Sequence, residues 1–96
     1  MAFTIILTYS KEDPLVDWYP EPADVTNIIN DYKAAGKITS LVEEEIDSLS
    51  KRYTITFDNQ PRSLELENES VMQAFKSSQS VHNTSNNITV TKTYGQ

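Results

Sequence analysis

The succession of hydrophobic patterns along the chain constrains its fold more than any single motif does. Apolar side chains recur at every second position over residues 3–9 and 53–57, which is the period of a β-strand. Over residues 23–35 the spacing is three or four positions, as in an amphipathic α-helix. A second helical pattern covers residues 64–75, and residues 88–90 predict a last strand. Strands and helices are therefore predicted to alternate along the chain.

The first helix has identifiable ends in the sequence. Pro22 suits the first turn of a helix, and Asp24 interacts favourably with the positive end of the helix dipole. Gly36 follows the last apolar position and suits the left-handed conformation of a C-terminal cap. We therefore expect this helix to begin near Ala23 and to end before Gly36.

Residues 37–50 fit two different structures. As a helix, they would place their apolar side chains on one stripe, with a capping-box sequence at the start. As a hairpin, residues 38–43 would form one strand, residues 44–48 the turn and residues 49–57 the second strand. One face of that second strand would hold Leu49, Lys51, Tyr53, Ile55 and Phe57.

The order of the elements favours the hairpin. With it, the chain reads strand, helix, hairpin, helix, strand, which is the βαββαβ order of a ferredoxin-like α+β fold. That fold has a four-stranded antiparallel sheet with two helices on one face, whereas a helix at residues 37–50 would leave only three strands. At 96 residues the chain is predicted to be a single ferredoxin-like domain over residues 1–96.

Three polar segments are predicted to interrupt or end the regular structure. Residues 58–62 are predicted to form a turn. Residues 68–70 are a candidate break in the second helix, with Ser70 as a new N-cap. Residues 77–87 are rich in Ser, Asn and Thr, whose side chains compete for backbone hydrogen bonds, so we expect a helix to fray there.

The charge balance argues against several classes of partner. Fourteen Asp and Glu residues stand against eight Lys and Arg, and the basic residues are scattered along the chain. A nucleic acid or an anionic membrane surface requires a concentrated basic patch, so neither is expected as a partner. The chain has no cysteine, and its apolar start at residues 2–7 lacks the basic flank of a signal peptide. We expect a cytoplasmic protein.

Catalytic, cofactor and metal signatures are missing from the sequence. Its two glycines, Gly36 and Gly95, are far apart, so no phosphate-binding glycine loop is predicted. The acidic run at residues 43–47 lacks the spacing of a calcium loop and is interpreted as a solvated surface. We therefore expect no cofactor, no metal and no assignable catalytic residue.

Three residues are candidates for a ligand site or an interface: Trp18, Tyr19 and His82. Trp18 and Tyr19 lie in a proline-rich segment, residues 10–22, which cannot form a regular helix or a central strand. Large aromatic side chains on such a loop either bind a ligand, cover the end of a small core or enter a dimer interface. His82 is the one histidine, and its polar surroundings predict a solvent-exposed side chain.

The chain resembles the dimeric α+β barrel group, which includes antibiotic-biosynthesis monooxygenases and stress-responsive Dabb proteins. The segments that carry the resemblance are AFTIILTY, YKAAGKI, RYTITFDNQ and ESVMQAF. It also resembles small proteins encoded by tailed phages. The resemblance implies a homodimer whose sheets pack face to face, with any ligand pocket between sheet and helices. The catalytic Asn, His and Trp of the enzymatic members have no matching set of positions in this chain.

Two functions follow as expectations. The first is a non-enzymatic, self-associating accessory domain that pairs through its sheet, because Ile6 makes the second face of the first strand partly apolar. The alternative is a cofactor-free small-molecule enzyme or binder of the monooxygenase-like type. In that case the residues nearest the ligand would be Trp18, Tyr19 and His82.

Overall fold

The computed structural model describes residues 1–95, which form four strands and three helices. The strands are β1 (Phe3–Ser10), β2 (Ile38–Asp47), β3 (Ser50–Phe57) and β4 (Thr89–Gly95). The helices are α1 (Ala23–Ala34), α2 (Gln60–Glu67) and α3 (Ser70–Ser85). The sheet order is β2-β3-β1-β4, and every neighbouring pair is antiparallel. The predicted α+β class and the ferredoxin-like order of strands are confirmed, with a third helix in addition.

The central hairpin is confirmed, but its turn is shorter than predicted. Residues 44–47 belong to β2, so the predicted turn at residues 44–48 is wrong, and Ser48 and Leu49 alone connect the strands. Asp47 explains the tight connection, because its Oδ1 accepts hydrogen bonds from the Leu49 backbone N–H at 2.8 Å and from Ser50 at 3.1 Å. A side-chain turn of this kind lets the strands pair almost to their ends.

The predicted turn at residues 58–62 is instead the start of α2. The Asn59 side chain caps this helix, accepting a hydrogen bond of 3.2 Å from the Arg62 backbone N–H. Pro61 occupies the first turn, where its missing N–H costs no hydrogen bond. Asparagine and proline therefore start a helix here, although the same residue types are also common in turns.

The break between the second and third helices is confirmed, and α3 is longer than predicted. The residue that caps α3 is Glu69, one position before the predicted Ser70. The polar residues 77–85 remain helical because side chains at the C-terminal end are held by further contacts. Asn83 is buried, and its backbone carbonyl oxygen accepts a hydrogen bond of 2.9 Å from the Ile88 N–H. On the same helix, Gln79 Nε2 donates to the Tyr9 hydroxyl of β1 at 3.4 Å. Tertiary contacts thus outweigh the weak helix propensity of Ser and Asn.

The two faces of the sheet differ in their partners. One face packs against the helices, and the core between them is formed by Ile5, Tyr32, Ile38, Phe57 and Leu66. The opposite face, here called the open face, is rich in threonine. At its centre Ile6 lies between Thr54 of β3 and Thr93 of β4.

The end of α1 agrees with the prediction for Gly36. The helix is capped by Ala35, and Gly36 follows with φ of +75°, the left-handed conformation that favours glycine. The Lys37 N–H then donates to the Tyr32 carbonyl at 2.9 Å, which turns the chain directly into β2.

Candidate functional site

A cleft of about 340 Å³ lies between the sheet and the helices α1 and α3. Strands β1, β2 and β3 form its floor, and the two helices form its walls. Its apolar surface comes from both layers, with Leu7, Leu41, Ile55, Val25, Ile29, Met72 and Phe75 as the main contributors. Helix α1 packs against both β2 and α3, which closes one side of the cleft.

Polar side chains converge at one end of this cleft. On the sheet, Tyr9 of β1 lies beside Lys51 of β3 in the strand register, and Tyr53 lies two residues further along β3. Lys51 Nζ donates a hydrogen bond of 3.1 Å to the Tyr53 hydroxyl oxygen. From α3, Gln79 Nε2 donates to the Tyr9 hydroxyl oxygen at 3.4 Å. The cleft therefore combines an apolar floor with hydrogen-bonding groups at one end.

Three aromatic rings surround the Lys51 ammonium group. Its Nζ lies 5.0 Å from the ring centres of Trp18 and Tyr53 and 5.5 Å from that of Tyr9. Lys11 approaches the same indole, with its Nζ 4.7 Å from the Trp18 ring centre. Aromatic faces attract cations at these distances. Two ammonium groups therefore share one tryptophan ring beside the cleft.

Burial sets the protonation of these groups. It lowers the pKa of Lys51, and the nearby Lys11 lowers it further, while Glu43 and Glu21 act in the opposite direction. Burial also raises the pKa of Tyr9, and it raises that of Tyr53, with an added contribution from Glu43. At neutral pH both phenols are neutral, and the Tyr9 hydroxyl, which accepts from Gln79, keeps its proton for a bound molecule.

The structure brings the three predicted residues together at the same end of the cleft. Trp18 packs edge-on against Tyr9 with ring centres 6.2 Å apart. Tyr19 lines the cleft, and its ring centre lies 5.8 Å from that of Phe75 and 5.4 Å from that of His82. The aromatic side chains of the proline-rich segment thus cover the end of this chain's own core.

His82 differs from the expectation of a solvent-exposed side chain. It is half-buried, and its Nε2 lies 2.9 Å from the Asp17 carbonyl oxygen. Its Nδ1 lies 3.4 Å from the Asn86 side-chain nitrogen. Both ring nitrogens therefore have partners within the chain, and His82 connects α3 to the proline-rich segment.

Sequence reasoning missed Lys51, Tyr9, Tyr53 and Gln79 as site residues. The sequence did contain a pattern that could have identified Lys51. The two-residue period of the strand over residues 49–57 places this lysine on the same face as Tyr53, Ile55 and Phe57. A lysine on an otherwise apolar strand face is unusual and marks a position where a charge is held near the core. The convergence of the other side chains on it depends on tertiary structure.

A second cavity of about 240 Å³ lies between the sheet and helices α2 and α3, towards β4. It shares Leu7, Ile55, Met72 and Phe75 with the cleft and is lined further by Phe57 and Leu66. The space beneath α3 is therefore apolar on both sides of these shared residues.

Two further features are absent from residues 1–95. No group of three or more metal-ligating side chains is present in that range. No helix in the same range has the length and apolar character needed to cross a membrane. Comparison with protein-family models and with curated proteins found no match to the chain.

Proposed function

We propose that this protein binds a small, mostly apolar molecule in the cleft between its sheet and its helices. The observation that supports this most directly is the cleft itself. Its volume of about 340 Å³ falls within the range typical of small-molecule sites. Such sites are mostly apolar with a few polar groups at defined positions, and the arrangement around Tyr9, Lys51 and Tyr53 has that form.

The convergent groups suit binding rather than bond-breaking chemistry. Two neutral phenols, an amide and an ammonium group can orient a ligand through hydrogen bonds. His82, the most obvious candidate for a general base, uses both of its ring nitrogens within the protein. The monooxygenase-like alternative is therefore proposed in its binding form, with Tyr19 as the predicted residue that lines the site.

The proposal is tested with the neutral dye N-phenyl-1-naphthylamine, which fluoresces in apolar surroundings. Trp18 is the one tryptophan in the chain and lies beside the cleft, so energy transfer from Trp18 to the dye reports binding at this place. We expect saturable transfer with a dissociation constant in the micromolar range.

A matched pair of variants locates the dye. Ile29→Phe adds volume inside the cleft, whereas Val81→Phe adds the same ring at a position on α3 that is 69% exposed. We expect Ile29→Phe to weaken binding by about fivefold or more, since overfilling a packed space costs roughly 1–3 kcal/mol. Val81→Phe should bind the dye like the parent protein. Equal binding by the parent and both variants would refute the cleft as the site.

Self-association through the open face is a second candidate function. One row across this face contains Val42 of β2, Thr54 of β3, Ile6 of β1 and Thr93 of β4. An apolar side chain on the inner strand β1 and another on the edge strand β2 of a helix-free face favour a second sheet as the partner. The resemblance to the dimeric α+β barrel group points to the same arrangement, a homodimer with its sheets face to face.

Sedimentation over a concentration series tests this second function. Ile6→Lys places a charge at the centre of the open face and should convert a dimer to a monomer, whereas Val81→Lys on α3 should not. The double variant Trp18→Ser, Tyr19→Ser should keep the dimer, because both rings pack within their own chain. A parent protein that sediments as a monomer at all concentrations would refute the proposal.

A further inference from the structure

We infer that the ligand of the cleft is an amphipathic anion, with an apolar body between sheet and helices and a carboxylate-like group bound to Lys51. This inference rests on the proposed binding function and specifies the chemistry of the ligand. It follows from the unusual surroundings of Lys51, from the charges that face it and from the apolar space that continues away from it.

Lys51 is held near the core without an anionic partner. Its Nζ donates to the Tyr53 hydroxyl and lies 5.0 Å from the ring centres of Trp18 and Tyr53 and 5.5 Å from that of Tyr9. No ion pair among residues 1–95 includes Lys51 or Lys11. A phenol and aromatic faces stabilise an ammonium group, but they do not neutralise its charge. The partly buried Lys51 ammonium group can therefore form an ion pair with an anionic ligand.

Two acids and two bases line the cleft, and no ion pair among residues 1–95 includes any of them. The acids are Glu21 and Glu43, and the bases are Lys33 and Lys51. Glu21 accepts a hydrogen bond from Thr26 Oγ1, and Glu43 lies opposite Tyr53 in the strand register.

A third lysine lies next to this end of the cleft. Lys11 stands behind Trp18, and its Nζ donates to the backbone carbonyl oxygens of Pro14 and Val16. Lys11 and Lys51 repel each other across the shared indole. A carboxylate placed at Lys51 would offset this repulsion and would form a charge-assisted hydrogen bond.

The rest of the ligand has an apolar path to follow. From Lys51 the floor of the cleft continues through Leu7 and Ile55, beneath Met72 and Phe75 of α3. The second cavity extends the same apolar surface beyond these side chains. A molecule with one acidic end and a hydrocarbon or aromatic body would satisfy both parts of the site.

Two dyes with the same ring systems test the inference. They are 8-anilinonaphthalene-1-sulfonate, which carries a sulfonate, and N-phenyl-1-naphthylamine, which does not. With Trp18 as the energy donor, we expect the anionic dye to bind about tenfold or more tightly than the neutral one. Lys51→Met, which keeps most of the length of the side chain but removes the charge, should abolish that preference. Lys51→Arg should retain it.

Arg52→Met is the matched control, because it removes a positive charge from the next residue of β3, which lies on the opposite face of the sheet and lines neither cavity. It should leave most of the preference intact. Loss of the preference in Arg52→Met but not in Lys51→Met would overturn the role of Lys51. Equal binding of the two dyes by the parent would overturn the inference but leave the binding function standing. If neither dye received energy from Trp18, both proposals would fall.

Circular dichroism and thermal melting first establish that each variant is folded. A second measurement on the parent protein removes any dependence on the variants, since octanoate and octanol differ only in their head groups. We expect octanoate to displace the bound neutral dye at concentrations about tenfold lower than octanol does. Displacement at equal concentrations would overturn the inference.

Discussion

His82 donates a hydrogen bond of 2.9 Å from Nε2 to the carbonyl oxygen of Asp17, which joins two segments 65 residues apart in the chain. A carbonyl oxygen can only accept, so Nε2 carries the proton, and Nδ1 is left to accept from the Asn86 side chain. The imidazole also packs on Tyr19. The histidine therefore positions the proline-rich segment that covers one end of the cleft.

Replacing His82 by Ala should lower the free energy of unfolding by about 1 kcal/mol, from the lost hydrogen bond and the lost ring contact. Urea unfolding measures this, and Trp18 emission should shift because the segment next to Asp17 loses its support. Ser78→Ala, at an exposed position on the same helix, is the control. An unchanged midpoint together with unchanged emission would contradict the proposed role of His82.

Phe57 is 2% exposed and lies in the core beneath α2. Phe57→Ala should reduce stability by about 3–5 kcal/mol, because the buried ring contributes both transfer energy and packing. Ile46→Ala, on the same hairpin at 49% exposure, should cost far less. Chemical denaturation of the two variants under identical conditions gives the comparison, and similar losses would show that Phe57 does not belong to the core.

Substitutions at Gly36 test the backbone conformation at the end of α1. A Cβ at this position would meet no atom within 4 Å, so any cost comes from the positive φ. Gly36→Val should destabilise the protein by about 1–2 kcal/mol, and Gly36→Asn by less, because asparagine tolerates the left-handed region. Thermal melting distinguishes the two variants. Equal effects would mean that the chain does not adopt this turn.

The raised pKa of Tyr32 predicts that the free energy of unfolding decreases at alkaline pH. Burial, with help from Glu65 and Glu69, raises its pKa from 10.0 to about 12 in the folded protein. Below pH 10 both states keep the proton, so the stabilisation is complete. Between pH 10 and about 12 the unfolded chain loses its proton first, so stability falls as pH rises.

Tyr32→Phe should make that fall shallower, since phenylalanine cannot ionise. Urea midpoints at several alkaline pH values measure the slope, with Tyr94→Phe on the exposed edge strand as the control. A slope in Tyr32→Phe as steep as that of the parent would show that Tyr32 does not contribute to the alkaline loss.

The sequence was sufficient for the fold and insufficient for the site. The hairpin followed from the order of elements, and the cap at Gly36 followed from local chemistry. The start of α2 at Gln60 and the length of α3 were missed, because a side-chain cap and tertiary contacts outweighed local preferences. Lys51 comes close to Tyr9 and Trp18 only when β1, β3 and the proline-rich segment pack together. Spacing along the sequence cannot predict this contact.

Strand β2 forms one edge of the sheet, and it ends in a run of acidic residues at positions 43–45 and 47. The unpaired backbone groups of an edge strand can template the addition of another strand. A second copy that paired its own β2 with this strand in parallel and in register would bring carboxylates against carboxylates. The acidic run therefore opposes this stacking of identical strands at an edge whose backbone groups remain unpaired.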